Sequence, residues 1–200
     1  MTEKKYHHGD LKLALIEAGI RILDSERYEA FSLRKVAKEC GVSQTAPYRH
    51  FKDKDDLIHA IIMHVMQQFN LSLEQAVLKH PDNPKAQLSE MGMAYIRFFV
   101  ENPEYLRLIF LNKKPDAYQN SGDCPGYEIP EGHPFATFFS TLQRYSEQAE
   151  HSGMDKDQLM LYSWGLVHGI AILIVNKEIP YRNDYLQVAE KLMWNSKFLG

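Results

Sequence analysis

Apolar residues recur three and four positions apart along almost the whole chain, and no segment alternates with the period of two that a strand requires. That pattern restricts the fold to packed helices. Leu11, Leu15, Ala18 and Ile22 share one face behind Asp10, which is read as an N-cap. Ser32 precedes Leu33, Val36, Ala37 and Cys40 at helical spacing, and Gly41 ends that short helix. Ser43 is read as capping a second short helix to about His50, and Asp53 as capping a long one through Phe69. Asn83-Pro84 and Asn102-Pro103 each read as an N-cap followed by proline at the first helical position. Residues 113–133 read as a loop, and Asp155 with Gln158 as a capping box. The helix behind it is apolar almost all round from Trp164 to Val175, and a last helix starts near Asn183. The expectation is an all-α chain of about nine helices, with a three-helix N-terminal domain over residues 1–53 and a larger helical domain over 54–200.

Charge changes at the same joint. Residues 1–52 hold ten Lys/Arg against seven Asp/Glu, and residues 53–200 hold thirteen against nineteen. The N-terminal quarter is therefore suited to approach a polyanion and the remainder is not. Lys4 and Lys5 extend the basic end as an arm or a solvated tail. No stretch is expected to reach the roughly 20 apolar residues of a bilayer span, and the first residues lack the apolar core of a signal peptide. Two cysteines, Cys40 and Cys124, suggest no disulfide framework. The expected location is the cytoplasm, with no membrane partner.

Phe31 to Phe51 has the form of a helix-turn-helix. A short amphipathic helix stops at Gly41, Val42 plugs the turn, and a second helix too short to stand alone follows. Its outward residues are Gln44, Thr45, Ala46, Tyr48, Arg49 and His50. Gln pairs with adenine, Arg with guanine, and Ala or Thr touches a thymine methyl. Tyr and His suit phosphate. The run Val36-Ala37, Gly41-Val42-Ser43, Tyr48-x-His50-Phe51, then Lys54 and Leu57, resembles the DNA-binding domain of the TetR/AcrR family of bacterial repressors. The resemblance implies that Tyr48, His50 and Lys54 contact phosphate, that Ser32 meets phosphate at a helix N-terminus, and that Gln44, Thr45, Ala46 and Arg49 face the major groove. Arg34 and Ser43 complete the expected DNA-binding set. Pro47 departs from the family's usual aliphatic residue and removes a helical hydrogen bond.

Beyond residue 60 one further motif stands out. Trp164-Gly165-Leu166-Val167-His168-Gly169 resembles the Trp-x-x-x-His-Gly signature of a C-terminal domain type, called WHG, in the same family. A helix apolar on all sides must be covered on all sides. It is either a central core helix or half of a subunit interface. The resemblance implies a four-helix homodimer interface from the last two helices, here through Leu166, Ile170, Ile174, Leu186 and Met193. Aromatic enrichment suggests a small-molecule pocket from Tyr95, Phe98, Phe99, Phe110, Phe138, Tyr162, Trp164 and His168, although a packed core uses the same residue types. The function expected is a ligand-responsive dimeric repressor that binds a pseudo-palindromic operator in double-stranded DNA. The alternative is a DNA-binding regulator controlled by a protein partner, or by no effector.

Catalysis is not expected. His59 and His64 are five residues apart and do not share a helix face, and no HExxH, nucleophile elbow or glycine-rich phosphate loop occurs. No cofactor and no metal is expected.

Overall fold

A computed structural model describes residues 8–25, 30–111, 132–148, 154–178 and 184–194. Lys4, Lys5, Cys124, His151 and nearly all of the loop 113–133 lie outside the described residues. The described residues form eight α-helices, one 3-10 turn and one π turn, with no strand. The helices are α1 (His8–Ser25), α2 (Leu33–Glu39), α3 (Lys54–Leu78), α4 (Pro84–Glu101), α5 (Pro103–Leu106), α6 (Pro134–Gln148), α7 (Lys156–Val175) and α8 (Tyr185–Trp194). The 3-10 turn is Ala46–Arg49, and the π turn Arg107–Leu111 continues from α5.

The chain divides into two compact units. The first gathers α1, α2, the 3-10 turn, α3 as far as Val65, and the segment from Glu104 through the π turn. Its core holds Leu15, Val36, Leu57 and Ile61, all fully buried. Gly19 brings α1 close to α3, since a Cβ there would lie 2.5 Å from Ile61 Cδ1. Cys40 donates its thiol to the Ala14 carbonyl at 3.4 Å, which joins α2 to α1. Burial raises that thiol's pKa above the ordinary 9.0, so the cysteine is a packing group. Arg107 Nε donates to Asp24 Oδ1 at 2.7 Å and ties the π turn to the end of α1.

The second unit is built around α4, which packs against α6, α7 and α8. Eleven of its eighteen residues are buried, so it is the central helix rather than an amphipathic cover. Each fully buried Leu, Ile or Phe contributes about 1.5–3 kcal/mol, and α4 buries Leu88, Ile96 and Phe99. Asn83 caps it by accepting the Ala86 N–H at 3.0 Å, with Pro84 in the first turn. Gln87 Nε2 donates to the His80 and Pro81 carbonyls at 2.7 and 3.1 Å, and its Oε1 accepts from Arg144 Nη2 at 2.7 Å. One amide thus holds the α3–α4 turn and α6 to α4. Ser89 Oγ donates to the Met193 carbonyl at 3.3 Å and fixes the end of α8.

Most local signals act as expected. Asp53 accepts the Asp56 N–H at 2.9 Å at the start of α3, and Asp155 with Gln158 forms a reciprocal capping box on α7. Three boundaries differ. α1 is already helical at His8, so Asp10 lies inside the helix. Asn102 turns its side chain back to the Phe98 carbonyl at 2.8 Å, ending α4 instead of capping α5. α8 starts at Tyr185, where Asp184 accepts the Leu186 N–H at 2.9 Å. By length and composition α7 could cross a membrane, although no uninterrupted apolar run is that long.

Gln87 is only 1 % exposed. Gln87→Leu should destabilise the protein by about 1–3 kcal/mol, because the His80 and Pro81 carbonyls and the Arg144 guanidinium each lose one hydrogen bond together. Urea denaturation should show a lower midpoint at an unchanged slope.

Candidate nucleic-acid interface and apolar cavity

The turn after α2 is set by glycine. Gly41 sits at φ 67°. Its N–H bonds to the Lys38 carbonyl at 3.1 Å while the Val42 N–H reaches the Ala37 carbonyl at 3.0 Å. That pair of bonds is a Schellman ending, which requires the left-handed residue. At the other end, Ser32 Oγ accepts the Lys35 N–H at 3.3 Å.

The segment expected as a second helix from Ser43 to His50 is shorter and tighter. Only Ala46–Arg49 is helical, and it is a 3-10 turn. Pro47 has no N–H to give to the Ser43 carbonyl, which accepts instead from Ala46 at 3.0 Å. The turn closes where the His50 and Phe51 N–H groups both reach the Pro47 carbonyl at 2.9 Å. Pro47 and Phe51 are buried and anchor the segment. Ser43, Gln44, Thr45, Tyr48 and Arg49 are exposed, with Tyr48 at 54 %, while Ala46 and His50 are half-buried. Ser43 Oγ and Thr45 Oγ1 lie 3.2 Å apart. Three residues per turn place Ala46 and Arg49 on one side. Arg34 is exposed on α2, and Ser32 and Lys54 are half-buried. Between residues 30 and 54, six Lys/Arg face two carboxylates, so the local charge is strongly positive although the chain carries -3.

In the second unit a cavity of about 50 Å³ opens among α3, α4, α6, α7 and α8. Tyr95, Phe138, Tyr162 and Trp164 border it, as do Leu166 and Met193, which were expected at a subunit interface. Phe99 is wholly buried in a ring cluster with Phe69 and Tyr95, at centroid distances of 5.0 and 4.9 Å. Phe98 borders a polar surface cleft of about 220 Å³ with Lys79, Glu90, Arg97 and Glu101. Phe110 belongs to the first unit. Sequence reasoning missed Leu73, Ser89, Gly92 and Ser163 on the cavity wall. The signal available was Gly92, a small residue in the middle of an apolar helix.

His168 reaches the cavity through Tyr95, whose hydroxyl lies 2.7 Å from its Nδ1. Burial raises the Tyr95 pKa and lowers that of His168. The phenol therefore keeps its proton, and Tyr95 and His168 meet as two neutral hydrogen-bonded groups. Among the described residues no group of three or more His, Cys, Asp or Glu is placed to hold a metal ion.

α7 has an unusual surface. Only Leu159, Val167 and Ala171 are buried, and Leu161 is 75 % exposed. A Cβ added at Gly165 or Gly169 would meet nothing within 4 Å. Ile170, Ile174 and Leu186 are half-buried.

Residues 15–61 match the family model described as bacterial regulatory proteins, tetR family. Residues 88–193 match the model described as tetracyclin repressor-like, C-terminal domain. Three solved structures are similar over nearly their full length. A TetR family transcription regulator from Marinobacter aquaeolei shares 16 % identity at TM-score 0.67, covering 92 % of this chain and 93 % of that one. The fatty acid degradation regulator FadR from Bacillus halodurans shares 14 % at TM-score 0.68, covering 96 % and 98 %. A TetR-family regulator from Haemophilus influenzae shares 21 % at TM-score 0.66, covering 94 % and 96 %. At these identities the likeness is one of fold.

Two half-buried histidines set a pH dependence. Burial holds His168 and His133 below the ordinary 6.5. In the unfolded chain both bind protons as pH falls through 6.5, while the folded protein resists until its lower pKa. Stability should be full above 6.5, decline as pH drops from 6.5 to the folded pKa, and level off below. His168→Gln should flatten part of that decline in denaturation curves taken from pH 7 to 5.5; an unchanged slope would remove His168 as a source.

Proposed function

The chain belongs to the TetR/AcrR family of transcriptional regulators, and from that membership we propose that it is a homodimeric, ligand-responsive repressor. Residues 1–53 carry DNA binding, and residues 54–200 carry sensing and dimerisation. The observation that supports this most is the recognition segment itself. A glycine-closed turn presents Gln44, Thr45, Tyr48 and Arg49 to solvent over a buried Pro47–Phe51 anchor, amid excess positive charge. Gln44, Thr45, Ala46 and Arg49 read base edges; Ser32, Arg34, Ser43, Tyr48, His50 and Lys54 position the protein on phosphate. The reading is of a cytoplasmic regulator without catalytic activity, cofactor or metal.

Dimerisation follows from the uncovered side of α7. Leu161, Gly165, Gly169 and Ile172 fall on one face, and Leu192 and Trp194 are exposed on α8 at 47 % and 44 %. The two glycines admit a second helix at close range, with Ile170, Ile174 and Leu186 alongside. Twofold symmetry then presents two recognition segments to a pseudo-palindrome. The effector occupies the cavity beside Tyr95, Phe138, Tyr162 and Trp164. α3 is the connecting element, since one continuous helix carries Lys54 at its start and Leu73 on the cavity wall. An effector releases DNA only by binding one conformation more tightly than the other.

Selection from a random duplex library at about 0.15 M salt should enrich one pseudo-palindrome. No enrichment at any salt would overturn the reading. Arg49→Ala should relax sequence preference at a cost of about 1–3 kcal/mol. Lys54→Ala should weaken binding to all duplexes alike and lower the salt slope by about one. Leu161→Glu should sediment as a monomer with unchanged helix content and lose operator binding.

A further inference from the structure

We propose that the cavity accepts an uncharged molecule about the size of one aromatic ring, and excludes carboxylates, phosphates and ammonium ions of the same size. The proposal rests on the preceding reading of this cavity as the effector site. Its wall is the argument. None of the residues that border it carries a charge. An anion entering there would lose its hydration with no Lys, Arg or protonated His to receive it, and a cation would find no carboxylate. Four aromatic rings, those of Tyr95, Phe138, Tyr162 and Trp164, border the space. Trp164 stands edge-on to Tyr95 at 5.5 Å and 74°, and is tilted against Phe138 at 5.8 Å and 57°. Rings set in that way offer both faces and edges to a planar guest.

The polar groups narrow the class further. The Tyr95 hydroxyl is paired with His168 Nδ1 at 2.7 Å, and the Ser89 hydroxyl donates to the Met193 carbonyl at 3.3 Å. Every polar group on the wall, from Ser89, Tyr95, Tyr162, Ser163 and Trp164, is neutral; such groups pair with a neutral O–H or N–H but leave the charge of an oxyanion or an ammonium uncompensated. Size is set by Gly92 and Met193. A Cβ on Gly92 would lie 2.7 Å from Met193 Sδ and 3.3 Å from Val167 Cγ1. The present volume of about 50 Å³ is below the roughly 150 Å³ of an apolar cavity that admits benzene. Met193 is the wall element that yields, because its unbranched thioether side chain repacks easily.

Equilibrium dialysis of the full-length protein at pH 7.5 tests this with phenol, benzoate and benzylammonium, three one-ring probes of different charge. Phenol should bind at least about 100-fold more tightly than either ion. An ion that binds within tenfold of phenol would overturn the proposed class while leaving the effector-site reading intact. Binding of none of the three would overturn both. Gly92→Ala should weaken phenol at least tenfold by pushing the Met193 and Val167 side chains into the cavity they border, and Ser163→Phe should do the same should Gly92→Ala melt without cooperativity. Unchanged phenol affinity in a cooperatively melting variant would place the site elsewhere and overturn the proposal.

Discussion

A helix surrounded by other helices can keep its polar groups only if each finds a partner inside, and α4 meets that condition. Gln87, Ser89 and Tyr95 are all buried on it. Gln87 holds two carbonyls of the preceding turn and Arg144 of α6. Ser89 holds α8, and Tyr95 holds His168 of α7. Apolar contact alone would let these neighbours slide along α4, since dispersion has little direction. The hydrogen bonds are directional and set the register. The cavity lies alongside, for Ser89, Gly92 and Tyr95 all border it, and the missing side chain of Gly92 lets Met193 and Val167 close against α4 there.

The recognition segment solves a different problem. A helix-turn-helix needs a short second element held firmly enough to offer side chains outward. Pro47 weakens that element as an α-helix, because it removes one N–H and restrains the residue before it. The chain compensates by burying the proline ring with Phe51 and closing the turn through a doubly bonded Pro47 carbonyl. The result is a 3-10 turn whose outward residues are spaced by three, so the neighbours of Arg49 differ from those on a regular helix.

α7 shows how composition and burial part company. Its residues are apolar on every side, yet one face is covered by α4 and α6 and another carries exposed Leu161. Burying that second face would gain roughly 25 cal/mol for each Å² removed from water. The exposed apolar face is therefore carried by the same helix that borders the cavity, so the proposed sensing and assembly would share one element.

Much of this was legible in the residues because the physics is local. Asn83-Pro84, Asp53 and the Asp155–Gln158 pair determine helix starts through bonds within four residues. Gly41 determines a turn because only a residue without Cβ rests easily at positive φ. Periodicity likewise identified α4; of the six outward positions expected in the recognition segment, Gln44, Thr45, Tyr48 and Arg49 are exposed, and Ala46 and His50 are half-buried. Where two local rules competed, the sequence left the outcome open: Asn102 had a helix end and a helix start within reach, and its amide went to the end. Tertiary structure alone decided the cavity. Its wall takes Leu73 from α3, Gly92 from α4, Phe138 from α6, Trp164 from α7 and Met193 from α8. Periodicity tells which face of a helix is buried, but not which helix covers it; so the aromatic residues Tyr95, Phe138, Tyr162 and Trp164 met at one space while Phe98, Phe99 and Phe110 went elsewhere.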